Sequence, residues 1–189
     1  MIKPRFQPFP VLTTPRLILR SLRTEDAHDL FFLRSNEEVN TFIESARHTS
    51  LEQTEAFMLK IENGIRRNEW IFWAITAKND DRLIGTICLW NLEVEKDLAE
   101  TGYVLHPDYQ GRGWMSEALE AVVSFGFDEL HLKDITAFTH RDNVSSTQLL
   151  LRHGFRPDPY GKIETGTQDV AYRLRRKDRI NKVKSDDNK

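Results

Sequence analysis

Residues 106–127 read HPDYQGRGWMSEALEAVVSFGF, and two structural periods meet within them. The extended run that precedes them, GYVL, stops at Pro107, and from Trp114 the apolar residues Met115, Ala118, Leu119, Val122 and Phe125 recur on one helical stripe. Between strand and helix lie Gly111 and Gly113, with Arg112 between them. A strand that turns through glycine into a helix leaves the first N–H groups of that helix unpaired beside the sheet. Those donors and the helix dipole favour an anion, most often a phosphate, and glycine lets it approach the backbone without a Cβ in the way. Arg112 either adds positive charge there or points outward. The competing readings are a plain chain turn and a dinucleotide fingerprint. The fingerprint is disfavoured, because GRGWMS lacks its third glycine and the flanking strands do not form a βαβ unit.

Working outward, residues 12–22 (LTTPRLILRSL) alternate as one strand, and Thr24 with Glu25 and Asp26 marks a helix start. Ala27, Leu30, Phe31 and Arg34 give that helix its face. Residues 50–68 predict a second helix, with Ser50 as N-cap, Gln53 three residues on, and Phe57, Leu59, Ile61 and Ile65 as apolar content. WIFWAITAK and LIGTICLWN, joined by NDDR, read as an antiparallel hairpin, and residues 99–107 as a third strand. A helix over 114–130, a strand over 134–140, a helix over 145–155 ended by Gly154 and a closing strand over 169–176 complete the order. Strands in runs and helices in blocks predict an α+β sheet.

Composition narrows the function. The 189 residues, 39% hydrophobic and 30% charged, predict one soluble domain over 1–175 with a polar, frayed tail over 176–189. A net charge of −2 argues against a nucleic-acid binder. No apolar run is long enough to cross a membrane, the N-terminus lacks a signal-peptide core, and the single cysteine, Cys88, fits a reducing compartment; a cytoplasmic protein is expected. The six histidines show no metal-ligand spacing with cysteine or acid, so no metal is expected. Cys88, on a β-rich run without a histidine partner, reads as a core residue rather than an acyl-carrying nucleophile.

The segment from Gly102 to Phe127 resembles the acetyl-coenzyme A signature of the GNAT superfamily of N-acetyltransferases: a strand, a proline, then Gln/Arg-x-x-Gly-x-Gly/Ala opening a helix. Here it is Gln110-Gly111-Arg112-Gly113-Trp114-Met115, with Met115 in place of the last small residue. Asn143, Ser146, Gly154 and Phe155 resemble the second family block, and TPRLILRSLRTEDAHDLF is similar to the first strand and helix of the branch that contains ribosomal-protein-alanine N-acetyltransferases. The resemblance spans about residues 11–175.

It implies a mixed, mostly antiparallel central sheet flanked by helices, acetyl-coenzyme A as cosubstrate, and direct attack by an amine in a ternary complex, with room for a homodimer. It makes Gln110, Gly111, Arg112, Gly113, Trp114 and Met115 coenzyme-binding, with the pyrophosphate on the amides of residues 111–115, and places the pantetheine along Tyr103, Val104 and Leu105 with Asn143 on its amides. An amine attacks only when neutral, whereas α-amines have a pKa near ~8 and lysines near ~10.4, so a proton must be taken. Glu100, on the strand face of Gly102 and Val104, is the candidate base, against a strand-end surface carboxylate. Where many members carry a tyrosine this chain has Leu150, which leaves Ser146 as the candidate donor to the departing thiolate, against a helix-start hydroxyl. Asn143 has turn formation as its competing role. The acceptor reads as the α-amine of a protein or peptide, with a small-molecule amine as the alternative and Glu38, Glu44, Glu52 and Glu55 as acids able to attract a cation. A coenzyme A-binding module without catalysis is the reading from another class; it would lack a proton path through Glu100.

Overall fold

The computed structural model describes residues 4–43, 45–161 and 168–179. Residues 12–22, expected as one strand, fold back on themselves: β1 (Leu12–Thr13) and β2 (Leu17–Arg20) pair antiparallel, with Leu12 opposite Leu19. Pro15 has no N–H to give to a ladder, so the chain turns there. The Thr14 hydroxyl accepts from the Leu17 amide at 2.9 Å and closes the turn.

A 3-10 turn (Thr24–Asp26) leads into α1 (Ala27–Ser35), whose buried stripe is Ala27, Leu30 and Leu33 rather than the line through Phe31 and Arg34. α2 (Leu51–Arg66) starts after Ser50 as expected, but Ser50 makes no side-chain cap; Gln53 accepts from the Thr49 amide at 2.8 Å instead. Leu59 lies on the solvent side of α2, 58% exposed, opposite the buried Ile61 and Ile65. β3 (Ile71–Ala77) and β4 (Asp80–Glu93) form the expected hairpin, although most of the polar NDDR stretch joins β4, leaving a turn at 78–79 and register shifts around Thr76.

β5 (Leu98–Leu105), a 3-10 turn (Pro107–Tyr109), α3 (Trp114–Asp128), β6 (Asp134–His140), α4 (Val144–Arg152), β7 (Arg156–Pro157) and β8 (Asp169–Arg175) follow. Two-residue β7 was not expected; it is too short to show a period. Among the described residues the strands form one sheet in the order β1-β2-β3-β4-β5-β6-β8-β7, antiparallel at every step except β5–β6. This is the expected α+β architecture, mixed and mostly antiparallel.

Residues directly opposite in a ladder share a face, which sorts the side chains. Trp73, Ile87 and Tyr103 are in register on one face, where Trp73 meets Phe125 of α3 with ring centroids 5.4 Å apart. Phe72, Cys88 and Gly102 share the other, where Phe72 meets Phe57 of α2 at 5.9 Å. Arg20 and Asp26, 5% and 4% exposed, form a two-bond fork of 2.7 and 2.9 Å that locks β2 to the entry of α1. The tail begins packed rather than frayed: residues 176–179 make a helical turn, and Arg179 bonds the Ser124 hydroxyl at 2.7 Å and the Glu120 carboxylate. The remainder of the expected tail, 180–189, lies outside the described residues.

Candidate active site

Pairing between β5 and β6 spans Leu98–Asp134, Ala99–Ile135 and Glu100–Thr136 and then ends. Beyond that point β5 stays bonded to β4 as far as Leu105, while β6 follows β8. The two strands open a cleft of about 640 Å³ between them. Along residues 101–105 the β5 backbone has no strand on its β6 side, which leaves polar groups there for a ligand to pair.

Tyr103, Val104 and Leu105 line this cleft from β5; Gln110, Gly111, Gly113, Trp114 and Met115 line it at the entrance to α3; Asn143 and Ser146 line it from the start of α4. Gly111 and Gly113 have φ of +72° and +77°, the left-handed region that other residues avoid, so the tight turn requires them. Glu117 is the first residue of α3 to bond back, to the Gly113 carbonyl at 3.1 Å, and the amides of residues 114–116 are therefore open at the cleft. The Gln110 side chain donates to the Leu105 carbonyl at 3.0 Å and ties the turn to the strand end.

Arg112 does not line the cleft. Set between two left-handed glycines, its side chain is exposed, and the Arg16 guanidinium holds its carbonyl at 3.1 Å. Arg16 is the cation beside this turn: it sits 4.7 Å from the centre of the Trp114 ring and pairs with Glu117 at 2.6 Å. Its place just before β2, far from the motif in sequence, hid it.

Glu100 does not line the cleft either; it stands at the last paired register, on the α2 side of the sheet. The Asn91 amide donates to its Oε2 at 3.0 Å. Burial pushes its carboxyl above the ordinary range, the bonds from Asn91 and Trp90 oppose this, and the charge of Asp169, which lines the cleft, adds to the rise. On the opposite face, the Tyr103 hydroxyl lies 2.9 Å from Ser146 Oγ, with burial pushing the phenol up to about 12 against the lowering effect of the Ser146 bond. Asn143 Oδ1 accepts from the Ser146 amide at 3.1 Å and so caps α4. Leu150 is fully buried.

Sequence reasoning missed the loop after α1. Val39, Phe42 and Ile43 close one side of the cleft, with Phe42 stacked on His140 at 5.3 Å, and no periodicity marks them. It also missed that Ser116 at the cleft bonds His153 Nε2 at 2.7 Å, whose Nδ1 is 3.2 Å from Glu120. Glu38, Glu52 and Glu55 are exposed and outside the cleft lining, and Glu44 lies outside the described residues. Cys88 donates to the Gly102 carbonyl at 3.4 Å, and burial pushes its thiol up to about 12, which leaves it a poor nucleophile. Among the described residues no helix is long and apolar enough to cross a membrane, and no cluster of three or more His, Cys, Asp or Glu could hold a metal ion.

A sheet split between parallel neighbours, with a glycine-turned helix start at its mouth, defines an acetyltransferase fold. The family model of the acetyltransferase (GNAT) domain matches residues 16–156, and the chain belongs to this family of N-acetyltransferases, which use acetyl-coenzyme A. It is 35% identical over 150 residues to the uncharacterized N-acetyltransferase YoaA of Bacillus subtilis, across 79% of this chain and 85% of that one. It is 36% identical over 76 residues, 40% of this chain and 42% of the relative, to the ribosomal-protein-serine acetyltransferase of Escherichia coli. Among solved structures, RimL, the ribosomal L7/L12 α-N-protein acetyltransferase in complex with coenzyme A, superposes with a TM-score of 0.77 over 88% of this chain and 98% of that one, at 19% identity.

Proposed function

We propose that this protein is a cytoplasmic enzyme that acetylates the α-amine of a protein or peptide by direct transfer from acetyl-coenzyme A. The observation that carries the reading is the β5–β6 split, with Glu100 on one face of the sheet and Ser146 on the other. The pyrophosphate sits on the open amides of residues 114–116. The pantetheine lies along the β5 edge from Tyr103 to Leu105, completing the ladder that β6 abandons, with Asn143 beside it. The thioester carbonyl then lies at the split, where backbone donors stabilise charge developing on its oxygen.

The acceptor comes from the α2 side, past Phe42 and Trp90. Its nitrogen attacks the carbonyl carbon, the carbon–sulphur bond breaks, and the nitrogen proton passes to Glu100, directly or through a water. The displaced Glu100 pKa suits this work, because a base nearer neutrality accepts the proton more readily. A peptide acceptor is supported by the E. coli relative's named substrate class and by the lower pKa of an α-amine, about 8 against about 10.4 for lysine.

The test is incubation with acetyl-coenzyme A and peptides of varied first residue, alongside spermidine and an aminoglycoside, with products identified by mass. Acetylated peptide N-termini with matching thiol release are expected. Turnover of a small amine and of no peptide would overturn the acceptor.

A further inference from the structure

Tyr103 and Ser146 reach the cleft from β5 and from the first turn of α4, on the face of the sheet opposite Glu100. The Tyr103 ring packs against the core and also lines the cleft, and the Ser146 hydroxyl is not the group that caps α4, since Asn143 Oδ1 does that by accepting from the Ser146 amide. One turn further along α4, Leu150 is fully buried and offers no hydroxyl; of the hydroxyls that line the cleft, which include Ser116, Thr139 and Ser145, those of Tyr103 and Ser146 are bonded to each other at 2.9 Å.

We infer that Tyr103 is a positioning residue for the leaving group: its phenol donates to Ser146 Oγ and so aims the Ser146 hydroxyl proton at the sulphur of the departing coenzyme. This rests on the acetyl-transfer reading above. A phenol is the stronger acid of the two hydroxyls and hence the better donor, and a serine oxygen that accepts one bond keeps its own proton free for a second partner. When the carbon–sulphur bond breaks, the electron pair goes to sulphur and the Ser146 O–H bonds the thiolate. No proton is transferred along the pair. A phenol held at about 12 is a weaker acid than a thiol, near ~8.5, so Tyr103 keeps its proton throughout. The proton that leaves the amine goes to the Glu100 side, and the thiolate leaves as such.

The experiment is a double-mutant cycle with Tyr103→Phe, Ser146→Ala and the double variant. It uses acetyl-coenzyme A with a serine- or alanine-headed peptide, or spermidine if that is the faster acceptor, and coenzyme A affinity is measured by calorimetry. Each single variant is expected to lose about tenfold in kcat, the size of one hydrogen bond to a charged group. KM for acetyl-coenzyme A and the calorimetric affinity should stay within about twofold, and the double variant should be no slower than Ser146→Ala. Retained affinity shows that the Tyr103→Phe cleft is folded. Multiplying losses in the double variant, or Tyr103→Phe at the wild-type kcat, would overturn the inference while leaving the acetyl-transfer reading intact. A wild type that binds coenzyme A and acetylates no amine would overturn both.

Discussion

Glu100 is held between opposed influences, and the balance between them is open to test. Burial and the Asp169 charge raise its pKa, while bonds from Asn91 and Trp90 lower it. In the proposed role of base it works deprotonated, so kcat/KM is predicted to fall on the acid side as pH drops through that pKa. Asp169→Asn removes a like charge, lowers the Glu100 pKa and is predicted to move the acid limb to lower pH. Asn91→Ala removes a donor to the carboxylate and is predicted to move it to higher pH. Displacement of both limbs in the same direction in the pH–rate profiles would show that Glu100 does not set the limb. Glu100 as a candidate was legible in the sequence through strand alternation and family likeness. Asp169 was not, because its charge comes to act on Glu100 only after β8 has been laid beside β6.

At the scale of elements, the turn into α3 is the proposed coenzyme site. Gly113 at φ +77° has room for a Cβ, whose nearest neighbour would be Arg16 Nη2 at 3.5 Å, so the cost of Gly113→Ala is backbone strain and obstruction of the anion. Calorimetry is predicted to show a loss of about tenfold or more in coenzyme A affinity, the worth of a displaced charge-assisted hydrogen bond. Gly154→Ala, with φ +88° but outside the cleft lining, is the control, and its affinity should be unchanged. Equal losses in the two would make the effect one of general strain. β6 and α3 are readable because long runs show their period: the strand pattern over 134–140 coincides with β6, and the helical stripe from Trp114 overruns the end of α3 by two residues. The β1–β2 hairpin and β7 were not, since two-residue strands carry no alternation and Pro15 interrupts a pattern that otherwise reads as continuous. The same limit hid the loop after α1, whose Val39 and Phe42 are known as cleft residues only from tertiary packing.

For the whole molecule, the split requires a sheet that does not close, and the sheet is held at its first strands by the Arg20–Asp26 fork. Asp26→Ala strands a nearly buried guanidinium, because Asp81, its other carboxylate partner, is 62% exposed and a weak substitute. Unfolding in urea is predicted to show a loss of about 3–5 kcal/mol. A loss below about 1 kcal/mol, the range of surface pairs, would mean that the fork is not structural. Across the molecule, Glu100 stands on one face of the sheet and the Tyr103–Ser146 pair on the other, with the gap between β5 and β6 between them; the proposed reaction brings the amine to the first face and releases the thiol at the second. The most direct test is the steady-state rate of acetyl transfer by Glu100→Gln beside wild type, with coenzyme A affinity measured on both. The predicted result is a fall in kcat of about 10²-fold or more at unchanged affinity; a Glu100→Gln enzyme that acetylates its acceptor at the wild-type rate over the whole pH range would contradict it.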